Sequence, residues 1–502
     1  MEKYYILAIG GSGALASESL VHLCAAGAIK NCEINLMVID PDQTNENVQR
    51  LQQTVLNYMD IRNTIRQKDS YFFNSKIKFL KVWNPNSGED SNLENGISYV
   101  QYNNENNIRY KILTNLLFSE EKRKEPLHKG YKGNPMIGTI FMKDIEEDEL
   151  FRDMATEELL NLFVFGSLFG GTGAAGLPVM GKSLKDIRAT RSGTTNIGAC
   201  ILLPYFGIKE PSELQKESLQ KTGVNLLPES SNFLPAVKFA IPFYISKAKE
   251  KDNGYDAIYY VGCPDSFVMS QLSFGIGGKD QKNKSHYLNL FAASGFIDFV
   301  NKKNDFKKGK DTTFLATTID LQTPALNYNN LPSCLREEEE KNLESFYVSA
   351  IFFQKYLLGK GKNQYIPWME DKSPKGLGLT RNYFNNKFSD NLKNYFDKYL
   401  IWLGQIKNNK YSLELFNTSF YNTETDTLDI TKYNEEVISH YKLGRENPKK
   451  GVFSKTLKLQ DVDEYCNKVI PNVEQTDENQ KFVDTLRLGS FNFISKYYSK
   501  TK

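Results

Sequence analysis

The chain has 502 residues, and its 63 Lys and Arg against 60 Asp and Glu leave a formal net charge of +3. Single hydrophobic cores stop growing at roughly 250 to 300 residues, so this length calls for more than one domain. The near-balance of charge excludes a global field that would draw in nucleic acid or another polyanion, so any phosphate must be held locally. No apolar run reaches membrane-spanning length, and the first ten residues, MEKYYILAIG, read as a strand entering a glycine turn rather than as a signal peptide. A soluble, cytoplasmic protein with no membrane span is expected. The cysteines (Cys24, Cys32, Cys200, Cys263, Cys334, Cys466) are far apart, without a C-x-x-C pair or a histidine at ligand spacing, which argues against zinc and against a disulfide framework.

Apolar runs bounded by glycine or proline predict strands at residues 4–9, 34–39, 162–165, 197–203 and 257–261, alternating with helical periodicity, the pattern of a doubly wound α/β layer. Between the first two, Ala16, Leu20, Leu23 and Cys24 share a helical face and Gly27 is a plausible stop, completing one βαβ unit. Residues 51–126 turn polar and rich in Asn and Lys, which reads as an insertion; residues 211–230 read similarly. From residue 326 on, the chain reads as a second, largely helical domain. Its apolar stripes, Leu343, Tyr347, Ala350, Leu357 and Phe384, Phe388, Leu392, Tyr395, Tyr399, Leu403, are read as packing faces.

Residues 166–183, GSLFGGTGAAGLPVMGKS, hold two competing phosphate-loop signals. The formal G-x-x-x-x-G-K-S match begins at Gly176, ten residues after the strand, in a stretch that already looks helical, with Pro178 expected in its first turn; Lys182 would then lie in a helix interior. The upstream run Gly170, Gly171, Thr172, Gly173 has the required order of strand, glycine turn and helix. Backbone N–H groups bare of Cβ atoms can close on an anion there, with a hydroxyl and a helix N-terminus beside them. Gly10, Gly11, Ser12 and Gly13 follow the first strand in the same way, so two amide-lined turns of one sheet are expected to share a nucleotide polyphosphate.

These residues resemble the tubulin/FtsZ superfamily, and specifically its divergent bacterial tubulin-like proteins. FGGTGAAGLPVMG (residues 169–181) is similar to the family's phosphate loop, with Phe169 and Ala175 in place of glycines, and GGSGA to its first nucleotide loop. Asp40 and Asp42 fall in the second loop, Asp42 near magnesium. KGNPMIG, with Gly133 and Asn134, resembles the loop contacting the terminal phosphate. ILLPYFGIKEP, with Glu210, resembles the ribose loop, and YDAIYYVGCPDSF, with Asp265, the strand before the base. SHYLNLFAASGFIDFV would be the central helix (residues 285–302), carrying Asn289 toward the base and joining the domains. The resemblance implies a Rossmann-like GTPase domain at residues 1–325, a mostly helical α+β C-terminal domain at 326–502, GTP or GDP with Mg2+ as cofactors, and head-to-tail homopolymers, a heterologous contact that does not close. It also implies carboxylates after the central helix that act on a neighbour's nucleotide. There this chain has Asn327, Asn329 and Asn330, with Asp298, Asp305 and Asp320 as substitutes, so GTPase turnover is expected to be slow or absent.

Two other readings stand beside this one. Asp40, Asp42, Asn47 and Arg50 also resemble the ribose, metal and α-phosphate residues of ubiquitin-activating-type adenylating enzymes. Alternatively the chain is a non-hydrolysing regulatory or structural pseudo-GTPase, for example in defence or DNA positioning, that meets a partner protein through the 51–126 insertion or the C-terminal region.

Overall fold

A computed structural model of the chain describes residues 1–65, 71–85, 91–95, 106–128, 130–131, 133–190, 192–207, 212–213, 233–263, 282–318, 325–326, 330–335, 338–360, 364–372, 375–408, 412–413, 415–433, 459–473 and 477–499. Seven strands form one parallel sheet in the order β3-β2-β1-β4-β5-β6-β7: β1 Glu2–Ile9, β2 Cys32–Ile39, β3 Lys76–Trp83, β4 Leu159–Ser167, β5 Thr194–Leu202, β6 Ala257–Val261 and β7 Thr313–Thr317. The order reverses direction beside β1, between β1 and β4, and such a switch point opens a crevice at the carboxyl ends of the strands.

Helices cover both faces. Tyr4, Ile6 and Ala8 of β1 face α1 (Gly10–Ala25), α2 (Glu46–Thr64) and, further along the sheet, α6 (Tyr287–Lys308). Tyr5, Leu7 and Ile9 face the opposite layer, made by α3 (Pro135–Met142), α4 (Thr172–Thr190) and α5 (Phe233–Ser246). Strands covered on both sides can be apolar without interruption, which is why β1, β2, β4, β5 and β6 are written as nearly unbroken runs.

Three features differ from the sequence reading. The presumed insertion holds core structure: α2 runs on to Thr64 with Leu51, Val55, Tyr58 and Ile61 buried, and β3 pairs with β2. β3 reads KIKFLKVW because it is an edge strand, where lysines keep an open ladder from recruiting other chains. Second, α6 is a crossover helix within the sheet: after it the chain returns as β7, which pairs in parallel with β6 from Ala257↔Thr313 to Val261↔Thr317. Third, Pro178 lies inside α4, in its second turn, and not in the first.

The C-terminal helices α7 (Glu338–Ile351), α8 (Lys387–Lys407), α9 (Leu459–Val469) and α10 (Glu478–Ser499) share one continuous hydrophobic core with α1 and α2. The residues of both apolar stripes are buried, as packing faces. Phe346 meets Phe72 at 4.8 Å between ring centroids, and Tyr395 meets Phe73 at 5.1 Å. His22 of α1 shares a 3.2 Å hydrogen bond with Tyr395, and Trp402 Nε1 donates to Ser19 Oγ at 3.1 Å. α1 is therefore sandwiched between the sheet and α8, which explains why it is apolar nearly all round.

One largely buried ion pair, Glu18 buried and Arg50 16% exposed, ties these elements together. Arg50 of α2 donates from Nε to both Glu18 oxygens at 2.9 Å and from Nη2 to Oε2 at 2.6 Å. Its remaining donors reach Asn283 O and Ser285 Oγ, each at 3.0 Å, just before α6. Removing one partner of a buried pair strands the other charge, so Arg50→Ala is expected to lower the unfolding free energy by about 3–5 kcal/mol in urea titrations. Lys124→Ala, which breaks a fully exposed pair with Glu120, should leave the urea midpoint unchanged.

Candidate functional site

The site is built by three loops at the carboxyl edge of the sheet. β1 ends at Ile9 and the chain turns at once into α1 through Gly10, whose φ of +72° only glycine adopts without strain. β4 ends at Ser167 and reaches α4 through Gly170, at φ +81°. The turns approach closely at Gly10: a Cβ there would stand 3.2 Å from Thr172 Cβ and 3.5 Å from Gly173 N. A Cβ on Gly13 would come within 2.7 Å of Phe165 O, and one on Gly173 within 2.7 Å of Ser167 O. The two turns are therefore in contact, with the N-termini of α1 and α4 side by side.

The third loop closes against the second. A Cβ on Gly171 would stand 2.9 Å from Tyr131 Cβ and 3.2 Å from Gly133 N. Gly133 has φ +78°, and Asn134 is the N-cap of α3, with Pro135 as first helical residue. Gly10, Gly11, Ser12, Gly13, Gly170, Gly171, Thr172, Gly173, Gly133 and Asn134 thus lie on three adjoining loops, each feeding a helix N-terminus, where the dipole favours an anion.

The competing motif lies elsewhere. Gly176 and Gly181 are inside α4, Lys182 is exposed on its surface, and Ser183 is buried, donating from Oγ to Glu146 at 2.6 Å. The two glycine replacements have structural explanations. The Phe169 ring is buried edge-on to Tyr205 at 5.4 Å and against Phe206 at 5.0 Å. Ala175 is the fourth residue of α4, and its Cβ fills space left open by Gly138.

Asp40 and Asp42 follow β2, the neighbour of β1, at the same sheet edge. Asp40 is buried; it accepts hydrogen bonds from Asp42 N at 2.8 Å and Asn45 Nδ2 at 3.3 Å, yet burial dominates and pushes its carboxyl up to about 8. Asp42 Oδ1 accepts from Thr44 N and Thr44 Oγ1. Among the described residues no group of three or more His, Cys, Asp or Glu gathers for a metal. Magnesium beside a polyphosphate needs only one or two carboxylates, since phosphate and water complete its shell, so Asp42 alone is chemically sufficient.

Asn289 is not presented to a ligand. Its Oδ1 accepts from His286 N at 2.7 Å, one half of a capping box that starts α6, and its Nδ2 donates to Tyr205 OH at 3.3 Å. The expected base contact is, in this structure, a helix cap. Arg50, the α-phosphate residue of the adenylating reading, is likewise taken up by Glu18, Asn283 and Ser285, and Asn47 Oδ1 accepts from Asn283 N.

Among the hydrolytic substitutes, Asp298 accepts from Tyr259 OH at 2.9 Å and pairs with Lys302. Asp305 pairs with Lys308 near the far end of α6, about 27 Å along the helix from its start. Asn330 belongs to a segment that lies along α6, where Cys334 Sγ approaches Ser294 O at 3.3 Å. Glu210, Asp265, Asp320, Asn327 and Asn329 lie outside the described residues. Sequence reasoning quoted the segments ILLPYFGIKEP and SHYLNLFAASGFIDFV but singled out neither Tyr205 nor His286 within them.

Two outcomes are expected. Gly171→Val, driven into Tyr131 and Gly133, should abolish binding of labelled nucleotide, whereas Lys182→Ala should bind within about twofold of wild type, since one exposed side chain away from such features has little effect. His286 Nδ1 accepts from Leu288 N, and burial pushes the imidazole down to about 3. Its folded value lies below the unfolded one near 6.5, so its contribution is complete above that pH and is lost as pH falls toward 3. Urea midpoints measured across that window should fall more steeply for the wild type than for His286→Asn.

The sequence matches no protein-family model and no curated protein.

Proposed function

We propose that the chain binds a nucleoside triphosphate, GTP by its resemblance to tubulin-like proteins, with the polyphosphate gripped jointly by the β1–α1 and β4–α4 turns. The observation that carries this reading is the 3.2 Å approach of the Gly10 position to Thr172, which lets amides of both turns face one ligand. Gly133 and Asn134 close on the terminal phosphate, and Asp42 takes the magnesium ion.

In this reading the subunits associate head to tail, an open-ended contact that makes filaments. Turnover is slow: of the candidate carboxylates within the described residues, Asp298 is held by Tyr259 and Lys302, and Asp305 stands exposed on the last turns of α6, away from the glycine turns of its own chain. Asp305, at the end of α6 remote from the turns, could meet only a neighbour's nucleotide.

Labelled GTP should bind the purified chain with one site per subunit, light scattering should rise with GTP at high protein concentration, and phosphate release should stay far below about 1 s⁻¹. Binding without scattering would favour the regulatory, non-assembling reading. ATP-dependent pyrophosphate exchange would overturn the proposal in favour of an adenylating enzyme.

A further inference from the structure

α5 carries apolar side chains on two sides, and only one side is covered. Val237 and Tyr244 are buried in the layer against the sheet. On the other side Pro235, Phe239, Pro242 and Ser246 recur at steps of three or four, with Phe243 beside them, which sets them along one stripe of the helix. That stripe lies open: Phe239 is 82% exposed, Ile245 56% and Phe243 47%, and both prolines are exposed as well. Single apolar residues on a surface are ordinary, whereas two phenylalanines, an isoleucine and two prolines on one face form a patch, and a patch marks a contact.

The stripe runs into a group of cations. Ser246, its last member, lines a cleft with Lys185 and Arg188 of α4 and with Lys247, Lys249 and Lys251, which follow α5. The carboxylates there do not balance them. Asp252 is shared between Lys185 and Lys247, and Asp256 between Arg188 at 3.0 Å and Lys251 at 2.6 Å. Glu250, also at the cleft, pairs with Lys310 at 3.5 Å. Two carboxylates thus answer four cations, and the exposed Lys249 adds a fifth. The segment is tied to the end of α6: Glu250 N donates to Asp311 Oδ1 at 2.9 Å and Lys251 Nζ to Phe306 O at 3.0 Å.

We infer that α5 is a membrane-surface helix: Phe239, Phe243 and Ile245 enter the acyl boundary of an anionic bilayer while Lys247, Lys249 and the other cations of the cleft meet lipid phosphates. Two features favour a lipid surface over another protein. The apolar side chains stand out from the helix rather than line a groove, so they fit a fluid layer that yields around them. A second copy of the chain would bring the same cations to the contact, and like charges oppose it. The helix lies on the bilayer and does not cross it, since among the described residues no helix is long and apolar enough to span. This inference stands apart from the nucleotide reading, although Phe233, which opens α5, packs on Phe169 of the second glycine turn at 5.4 Å.

The test is cosedimentation of the full chain with vesicles of phosphatidylcholine, with and without phosphatidylserine. The wild type should be carried down by vesicles containing phosphatidylserine and far less by phosphatidylcholine alone, and added salt should weaken the binding by screening the lysines. Phe239→Ser should lower the partition coefficient about tenfold, the order expected when a phenylalanine side chain is no longer buried. Lys249→Gln should lower it about fivefold, the order for one lysine at an anionic surface. Both side chains are exposed, so the thermal unfolding midpoints of the two variants should match the wild type. A wild type left in the supernatant by phosphatidylserine vesicles would overturn the proposal, and so would binding that both substitutions leave intact. If the chain instead dimerises with rising concentration, Phe239→Ser abolishes the dimer and vesicles retain nothing, then the face is a contact between copies and the lipid reading is overturned.

Discussion

Everything in this structure is arranged around a contact that only glycine permits. The β1–α1 and β4–α4 turns touch at Gly10, Thr172 and Gly173, with 3.2 Å separating a hypothetical Cβ from its neighbour. A larger residue at Gly10 would push the turns apart and meet an unfavourable φ as well. The close approach sets two helix N-termini side by side, so that in the proposed reading both dipoles act on one anion. The third loop adjoins the second, with Gly133 against Gly171.

The rest of the fold holds that surface still. α1 begins in the first turn and is packed along its length between the sheet and α8, so its N-terminus cannot drift independently of the core. Arg50 ties Glu18 of α1 to the residues that start α6, and Ser285 N in turn donates to Gln405 of α8 at 2.9 Å. This polar chain is largely buried, so each member depends on its partners, and it ties α1 and α2 to the start of α6 and to α8. The C-terminal helices thereby act as a wall of the sheet domain's own core, which is why their apolar stripes are buried.

Much of this was legible from residues, for identifiable reasons. Parallel strands buried on both faces are uninterrupted apolar runs, so five of the seven strands could be read directly, and glycine turns directly after two of them marked the site. β3 was hidden because an edge strand carries lysines at every second or third position, and β7, TFLAT, because five short residues carry little periodicity. The second half of α2 did carry a signal, with Val48, Leu51, Val55, Tyr58 and Ile61 at helical spacing, but polar residues outnumber it. The pairing of Tyr205 with Asn289 joins positions 84 residues apart, and no local pattern encodes such a contact. Pro178 misled in a different way: the helix starts at Thr172, earlier than its first apolar residues suggest, and so places the proline one turn deeper.

The central claim, that both turns grip one polyphosphate, is tested most directly by amide hydrogen exchange with and without GTP, read peptide by peptide. The account predicts that GTP slows exchange together, and with the same concentration dependence, at Gly10 to Gly13 and at Gly170 to Gly173. Protection of only one of these turns, or protection confined to the peptide that carries Lys182 and Ser183, would contradict it.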